Sequence, residues 1–344
     1  MVRNHLNSAA FGSTFDIRLA ISACDTNTMK RARKWITRLG YAITTATVIW
    51  VMYSFTRHEG LSLLASAVRG NTAIVLIALL AYIFISLFQA LAWWKLMARS
   101  AGGAPIGLSI GVFALSQLGK YLPGNVMHFV FRYALTRASG ASRPAILVAS
   151  GLEPWLLLCG ALGLLVMFGG SDWPQHFDWP GWLAFVLPTL ALVSLVLTVP
   201  FLSRRLLGSN LQAKGLITPL LLESAFLLGS ALLFAVLLYL IAPEHNAPLG
   251  AVVGAAILAW LAGFITPGSP GGLGVREFVL TVVLSAWIEP ALAVSAAAAF
   301  RVLTVAGDLM VFSGGGCWWA VRGKNDLINY RHFLEETKAS TELR

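Results

Sequence analysis

The chain has 344 residues, of which 57% are hydrophobic and only 12% are charged, and its mean hydropathy is +0.75. Soluble domains carry about 25% charged residues, so this composition excludes a soluble globular protein and predicts a polytopic membrane protein. The net charge of +10 does not indicate nucleic-acid binding, because the basic residues cluster at the ends of apolar runs. The cysteines, Cys24, Cys159 and Cys317, are too scattered to indicate a disulfide framework or a metal site.

The first 35 residues are polar, and we expect them to form a cytoplasmic tail. Met29 is followed by several basic residues and resembles a natural cytoplasmic start, which leaves open whether residues 1–28 belong to the mature protein. Because a spanning helix needs about 20 apolar residues, we predict six spanning helices. They are residues 36–56, 72–94, 144–168, 182–203, 217–241 and 290–321. Residues 322–344 are predicted to form a cytoplasmic C-terminal tail.

Two further apolar regions, 105–137 and 249–288, are each broken near the middle by a Pro-Gly turn. Proline and glycine interrupt helices, and non-helical backbone at membrane depth must be buried in protein or line a wet cavity. We predict that each region forms a re-entrant helical hairpin. A single clean span in either place would put the basic residues of later loops on the outside, against the positive-inside bias.

The two breaks share the pattern G-x3-P-G-x7-R at a spacing of 144 residues, from Gly119 to Arg132 and from Gly263 to Arg276. Shifting the first three spans by 144 residues places them over the last three. The sequence therefore predicts an inverted-topology repeat of two halves, 36–168 and 182–321, with the two tips meeting near the middle of the bilayer.

The tips are predicted to form an anion-binding site. A half-helix should begin after each tip, near Asn125 and near Ser269 or Gly271, and its free N–H groups and dipole favour negative charge. Arginine and lysine beside the tips suit phosphate. The predicted substrate-binding residues are Lys120, Gly124, Asn125, Arg132, Gly268, Ser269, Gly271, Gly272, Arg276 and Arg301.

Buried carboxylates offer an alternative use for the same cations, as structural ion pairs. The candidate partners or coupling groups are Glu153, Glu223, Glu277 and Asp308. Arg301 and Asp308 are seven residues apart and share a helix face. Glu153 precedes Pro154 inside a span, where it is a candidate for proton coupling or a partner for Arg132 or Arg301. We find no catalytic constellation, metal-ligand set or cofactor motif.

Two stretches resemble a known family. LGKYLPGN (Leu118–Asn125) and PGGLGVRE (Pro270–Glu277) resemble the lysylphosphatidylglycerol synthase transmembrane-region family, a group of flippase-like integral membrane proteins. Arg301–Thr304 is similar to the Arg-Leu-x-Thr segment of that family, and Glu153 matches the acidic position of a Glu-Arg pair. The sequence departs from the family at Pro154, where arginine is common, so the partner of Glu153 has to be Arg132 or Arg301.

The resemblance covers residues from about 36 to 322 and implies handling of aminoacylated phosphatidylglycerol or of other lipids such as cardiolipin, hopanoids or polyprenyl-linked sugars. Bifunctional members carry a soluble aminoacyl-transferase domain after the membrane region. Since 20 residues follow Lys324 in this chain, we expect no synthase activity.

We therefore expect an inner-membrane flippase or transporter for an anionic phospholipid or a polyprenyl-phosphate-linked lipid, with no nucleic-acid partner and a lipid synthase encoded separately as a candidate partner. Two alternatives stay open. One is a membrane glycosyltransferase or lipid-modifying enzyme that uses a polyprenyl-phosphate donor. The other is a scaffold subunit of a lipid-glycan assembly complex, in which neutralising the buried charges would be tolerated.

The predicted topology places both termini in the cytoplasm. Single cysteines introduced near Asp172 and Glu244 should react with a membrane-impermeant maleimide from outside, and those near Gly208 and Asn325 only after the membrane is opened. Labelling of position 208 from outside alone would contradict the inverted repeat.

Overall fold

A computed structural model describes residues 72–100, 104–122, 127–168, 213–267 and 269–323, with single residues between 186 and 193 and between 325 and 336. The predicted N-terminal tail and the predicted span 36–56 lie outside the described residues, as does the predicted span 182–203 apart from four single positions. Pro123, Gly124, Asn125 and Gly268, at the predicted tips, also lie outside them.

All regular secondary structure of the described residues is helical, with no strand in these ranges. The α-helices are α1 Thr72–Ser100, α2 Ile106–Ser116, α3 Met127–Ala138, α4 Arg143–Phe168, α5 Ile217–Ile241, α6 Leu249–Ile265, α7 Val275–Leu284 and α8 Pro290–Trp318. Short 3₁₀ turns cover Gln117–Tyr121, Ala213–Leu216 and Pro270–Gly272, and a π-helical turn, Trp319–Gly323, extends α8.

Four of these helices, α1, α4, α5 and α8, are long and apolar enough to cross a membrane. They coincide with four of the six predicted spans, so those four predictions are confirmed and the protein is a multi-pass membrane protein. The outward face of α1 carries Ile77, Leu80 and Phe84, whose exposed fractions are 64%, 63% and 62%. These residues are spaced by three and four positions along one helix face, and an apolar face of this kind suits contact with lipid.

Both predicted breaks are confirmed. In the first, helical structure ends with the turn at Tyr121 and resumes at Met127, and in the second it ends at Ile265 and resumes fully at Val275. The two helices on either side of each break pack against each other, α2 on α3 and α6 on α7. The 3₁₀ turns of the two breaks also contact each other, as the sequence predicts for the tips.

Close packing at the first break depends on Gly119. A Cβ atom at this position would lie 2.6 Å from the backbone nitrogen of His128 and 2.9 Å from the carbonyl carbon of Met127. Both atoms belong to the backbone at the start of α3, so they cannot move aside as a flexible side chain would. The absence of a side chain at Gly119 therefore sets how closely α3 approaches the turn.

Gly119→Ala should lower the stability of the folded protein by about 1–3 kcal/mol, as overpacking does in a close-packed interior. Gly151→Ala is the matched control, because no heavy atom lies within 4 Å of its Cβ position and alanine is the better helix former. Thermal unfolding of both purified variants in one detergent checks this. Equal melting temperatures would contradict the close contact at Gly119.

Candidate functional site

A polar cavity lies where the two breaks meet, and its volume is about 770 Å³ including the open mouth. Its walls come from α1, α3, α4, α5, α6, α7, α8 and both 3₁₀ turns. The charged residues that line it are Lys120, Arg132, Glu153, Arg276, Arg301 and Asp308. The structure therefore brings the four predicted cations together with two of the four predicted carboxylates.

The first break is held to α8 by Asp308, whose side chain is 2% exposed. Its carboxylate lies 2.7 Å from Lys120 Nζ and accepts hydrogen bonds from the hydroxyl of Tyr121 and, at 3.0 Å, from that of Tyr82. Gly307 allows α1 to come this close, because a Cβ atom there would collide with the ring of Tyr82. A single buried carboxylate thus joins α1, the first break and α8.

The second break is held to the same helix by Arg301. Its Nη1 donates to the carbonyl of Gly271 at 2.9 Å and its Nη2 to that of Pro270 at 3.4 Å. Its Nε lies 3.6 Å from a carboxylate oxygen of Glu277. Arg301 and Asp308, which the sequence places on one face of α8, therefore serve different breaks.

The second half-helix begins later than the sequence predicts. It starts at Val275, with Gly274 as N-cap, instead of near Ser269 or Gly271. A carboxylate oxygen of Glu277 accepts a hydrogen bond from the Gly274 N–H at 2.7 Å, which is the half of a capping box that the side chain at N3 supplies. The first turn of α7 therefore already holds a negative charge of its own, and the expectation of a fully free helix end is wrong at this break.

Arg132 is paired in the core of the bundle. Its guanidinium donates to the carboxylate of Glu153 and, through Nε at 2.9 Å, to the hydroxyl of Ser116. It also lies over the ring of Phe113, 4.5 Å from the centroid. Since both charged side chains are 3% exposed, Arg132 and Glu153 form a buried ion pair, as the alternative use of the cations requires.

Arg276 differs from the other three cations. Its guanidinium lies 5.4 Å from the centre of the Trp260 ring, within range of a cation–π contact. Among the described residues, no carboxylate oxygen lies within 4.0 Å of its nitrogens, and its buried Nε has no hydrogen-bond partner. A buried arginine nitrogen in this state is ready to bind an anion that enters the cavity.

Two glycines make room for the Arg276 side chain. A Cβ atom at Gly263 would lie 2.6 Å from Arg276 Cγ, and one at Gly272 would collide with Arg276 Nε. Gly272 also has a positive φ of 76°, which side chains disfavour. The glycines of this break therefore shape the groove in which the arginine lies. Ser269 is fully buried, and its hydroxyl donates to the carbonyl of Leu273 at 3.0 Å.

Glu223 lies behind the polar cavity and is completely buried. One oxygen accepts a long hydrogen bond of 3.4 Å from Gln89 Nε2, and the other has no partner within the described part of the chain. No cation lies within 4.0 Å of it in those ranges. An ionised carboxylate in such a place is costly, so the neutral acid is favoured.

Sequence reasoning missed the uncharged polar residues of the site. Tyr82 and Gln89 are polar positions in an apolar span and lie seven residues apart, so they share a helix face that points toward the cavity. That spacing was the available signal. Tyr121 stands next to the predicted Lys120, and the cavity face of Trp260 could not be told from an interface aromatic without knowing how α6 packs.

Comparison with known families places this site in context. Residues 38–311 match the family model described as the lysylphosphatidylglycerol synthase TM region, a stretch that contains both breaks and every charged residue of the polar cavity. The chain belongs to this family. Membership confirms the resemblance drawn from the two Pro-Gly stretches and indicates a function connected with membrane lipid. A comparison with curated proteins finds no match.

The two buried glutamates should respond differently to neutralisation. Glu153→Gln removes the charge that balances Arg132, and we expect a loss of folding stability on the order of 3 kcal/mol, as when one partner of a buried ion pair is removed. Glu223→Gln replaces a neutral acid by a neutral amide of the same shape, so it should change stability by less than about 1 kcal/mol. Denaturant unfolding of both variants tests this, and an equal loss would contradict a neutral Glu223.

Proposed function

We propose that this protein moves an anionic phospholipid, or a lipid-linked head group of the same charge, across the inner membrane. The observation that carries the proposal is the charge arrangement of the polar cavity. Lys120 is paired with Asp308, Arg132 with Glu153, and Arg301 with Glu277. Among the described residues, Arg276 has no carboxylate within ion-pair distance.

An unbalanced positive charge inside an apolar bundle favours binding of an anion there. The lipid-related family supports a lipid as the carrier of that anion. Arginine suits a phosphate because its planar fork donates two parallel hydrogen bonds. The paired cations would hold the cavity in shape, and Lys120, whose side chain is 24% exposed, would be the second group within reach of the ligand.

We also propose that the two halves form an inverted-topology repeat with both termini in the cytoplasm. Helices α1 to α4 are followed, 144 residues later, by α5 to α8, whose starts agree with the shifted ones to within about one helical turn. The same neighbours pack in each half: first on second, second on third, third on fourth and first on fourth. An arrangement of this kind supports alternating access to a site at the repeat interface.

Glu223 is the group that we assign to charge coupling. It has neither a cation partner nor a second hydrogen bond among the residues described, so gaining or losing a proton there breaks no ion pair. Glu153 and Asp308, the other candidates, each hold a cation and would lose that contact on protonation.

An enzyme is the alternative, and the present arrangement favours it less. General acid or base catalysis needs a carboxylate free to exchange a proton with substrate, and the two carboxylates that line the polar cavity are both engaged in ion pairs. We therefore propose a transporter, with any lipid synthase encoded separately.

Transport can be measured with fluorescent phosphatidylglycerol in proteoliposomes. Arg276→Ala should reduce lipid movement at least tenfold, and Arg276→Lys should restore little, because an ammonium cannot reproduce the two parallel hydrogen bonds. Arg143→Ala is the control, since Arg143 is an exposed arginine at the start of α4.

The outcomes separate the three functions. Full lipid movement by Arg276→Ala would refute a transport role for the unpaired arginine, whereas no lipid movement by the wild-type protein would favour a scaffold. A chemically altered lipid, detected by mass spectrometry after incubation with the wild-type protein, would favour the enzyme instead.

A further inference from the structure

The two arginines of the shared pattern, Arg132 and Arg276, lie 144 residues apart at matching places in α3 and α7. In the first half, Arg132 contacts the carboxylate of Glu153 on α4 and the hydroxyl of Ser116 on α2. Helix α7 packs against α6 and α8 as α3 packs against α2 and α4. The residues at matching places in the second half therefore show what surrounds Arg276.

The position 144 residues after Glu153 is Ala297, and the position 144 residues after Ser116 is Trp260. Both residues line a cavity that Arg276 also lines. Where the first half supplies a carboxylate and a hydroxyl to its arginine, the second half supplies a methyl group and an aromatic face. The two arginines match in sequence, but within the described ranges only the first has a carboxylate partner.

The cavity beside Ala297, here named the apolar chamber, lies between α5, α6, α7 and α8 and has a volume of about 490 Å³ including its open side. Most of its wall is apolar, including Ala231, Ala256 and Leu280. It joins the polar cavity, because the two share six lining residues. These are Ser230, Trp260, Arg276, Phe300, Arg301 and Thr304.

The charges around the apolar chamber leave room for one negative charge. Arg276, Arg301 and Glu277 are the charged residues that line it, and Glu277 is 3.6 Å from Arg301. One positive charge, on Arg276, stays unbalanced. A phosphodiester carries one negative charge and matches it, whereas a diphosphate brings an extra charge with no free partner at this place.

We propose that the second half of the bundle is a binding site for a phosphodiester lipid. The phosphate binds Arg276, in the place that Glu153 takes in the first half. The first part of one hydrocarbon chain lies in the apolar chamber. This rests on the proposed function and adds the ligand's charge and the path of its chain. The apolar chamber and the polar cavity meet at Arg276. This arrangement fits an amphiphilic ligand whose phosphate, between the hydrocarbon chains and the head group, binds the arginine. A lipid chain already lies in an apolar medium, so its transfer into the chamber adds little to the binding free energy. The chamber mainly orients the bound lipid.

Ala297→Glu is the central test, because it places the carboxylate of the first half into the second. The new carboxylate should pair with Arg276 and compete with the ligand. Binding of dioleoylphosphatidylglycerol, measured by native mass spectrometry in detergent, should fall about tenfold or more, as expected when one charge-assisted contact is blocked. Ala297→Gln has nearly the same shape without the charge and should bind much more lipid than Ala297→Glu. Equal binding by the two variants would overturn the proposal.

A second pair of variants tests the chain and does not depend on the folding of Ala297→Glu. Ala256→Phe fills the apolar chamber from α6, whereas Ala262→Phe lies on the same helix away from both cavities. Ala256→Phe should weaken binding of the lipid but not of water-soluble glycerophosphoglycerol, and Ala262→Phe should change neither. Unchanged lipid binding by Ala256→Phe would exclude the chain from the chamber.

Charge selectivity is read from the wild-type protein alone. Dioleoylphosphatidylglycerol should displace dioleoylglycerol, which lacks the phosphate, and should not be displaced by an equal concentration of undecaprenyl diphosphate; preference for the diphosphate would overturn the single-charge assignment. These are binding measurements, so they separate this inference from the proposed function. Binding as expected without lipid movement would refute transport only, and lipid movement with equal binding by Ala297→Glu and Ala297→Gln would refute this site only.

Discussion

Irregular backbone in the middle of an apolar bundle needs polar partners from the protein itself, and α8 supplies them to both breaks. Arg301 binds the carbonyl groups of Gly271 and Pro270, and Asp308 binds Lys120 and Tyr121. The two α8 residues are two helical turns apart on one face. Without these contacts, the backbone of the second break would leave carbonyl groups unsatisfied, and the cavity between the breaks would have no fixed shape.

Buried cations of the site differ in whether a carboxylate of the protein neutralises them. Burying a charge is tolerated when the charge is paired, and the paired cations of the cavity follow that rule. Arg276 is the exception among the described residues, and its surroundings explain how it is accommodated. Glycines at 263 and 272 provide a groove for the side chain, and the ring of Trp260 provides a weakly attractive face. The fold therefore tolerates an unpaired arginine by shape and by an aromatic contact instead of by a second charge.

Much of the fold could be predicted from the sequence. The lengths of the apolar runs predicted the four long helices that the structure describes, and the Pro-Gly turns predicted both breaks, since these features depend on local composition. The ion pairs between the cations and the carboxylates of the site could not be predicted, because they depend on which helix faces meet. Spacing placed Arg301 and Asp308 on one face of α8, but it could not show that each side chain is directed to a different break. The start of α7 was also misplaced, because positive φ angles at Gly271, Gly272 and Gly274 delay helix formation to Val275.

The attachment of both breaks to α8 has a mechanical consequence. Arg301 and Asp308 are fixed to one continuous helix, so a tilt or rotation of α8 displaces the two turns together and in a fixed ratio. One turn can therefore move away from the cavity while the other keeps its present contacts only if the moving turn first separates from its α8 residue. Of the contacts described, the one between Lys120 and Asp308 is the most accessible to water. In the proposed transport, the first turn leaves α8 only when Asp308 loses both Lys120 and Tyr121, while the second turn can stay bound through Arg301.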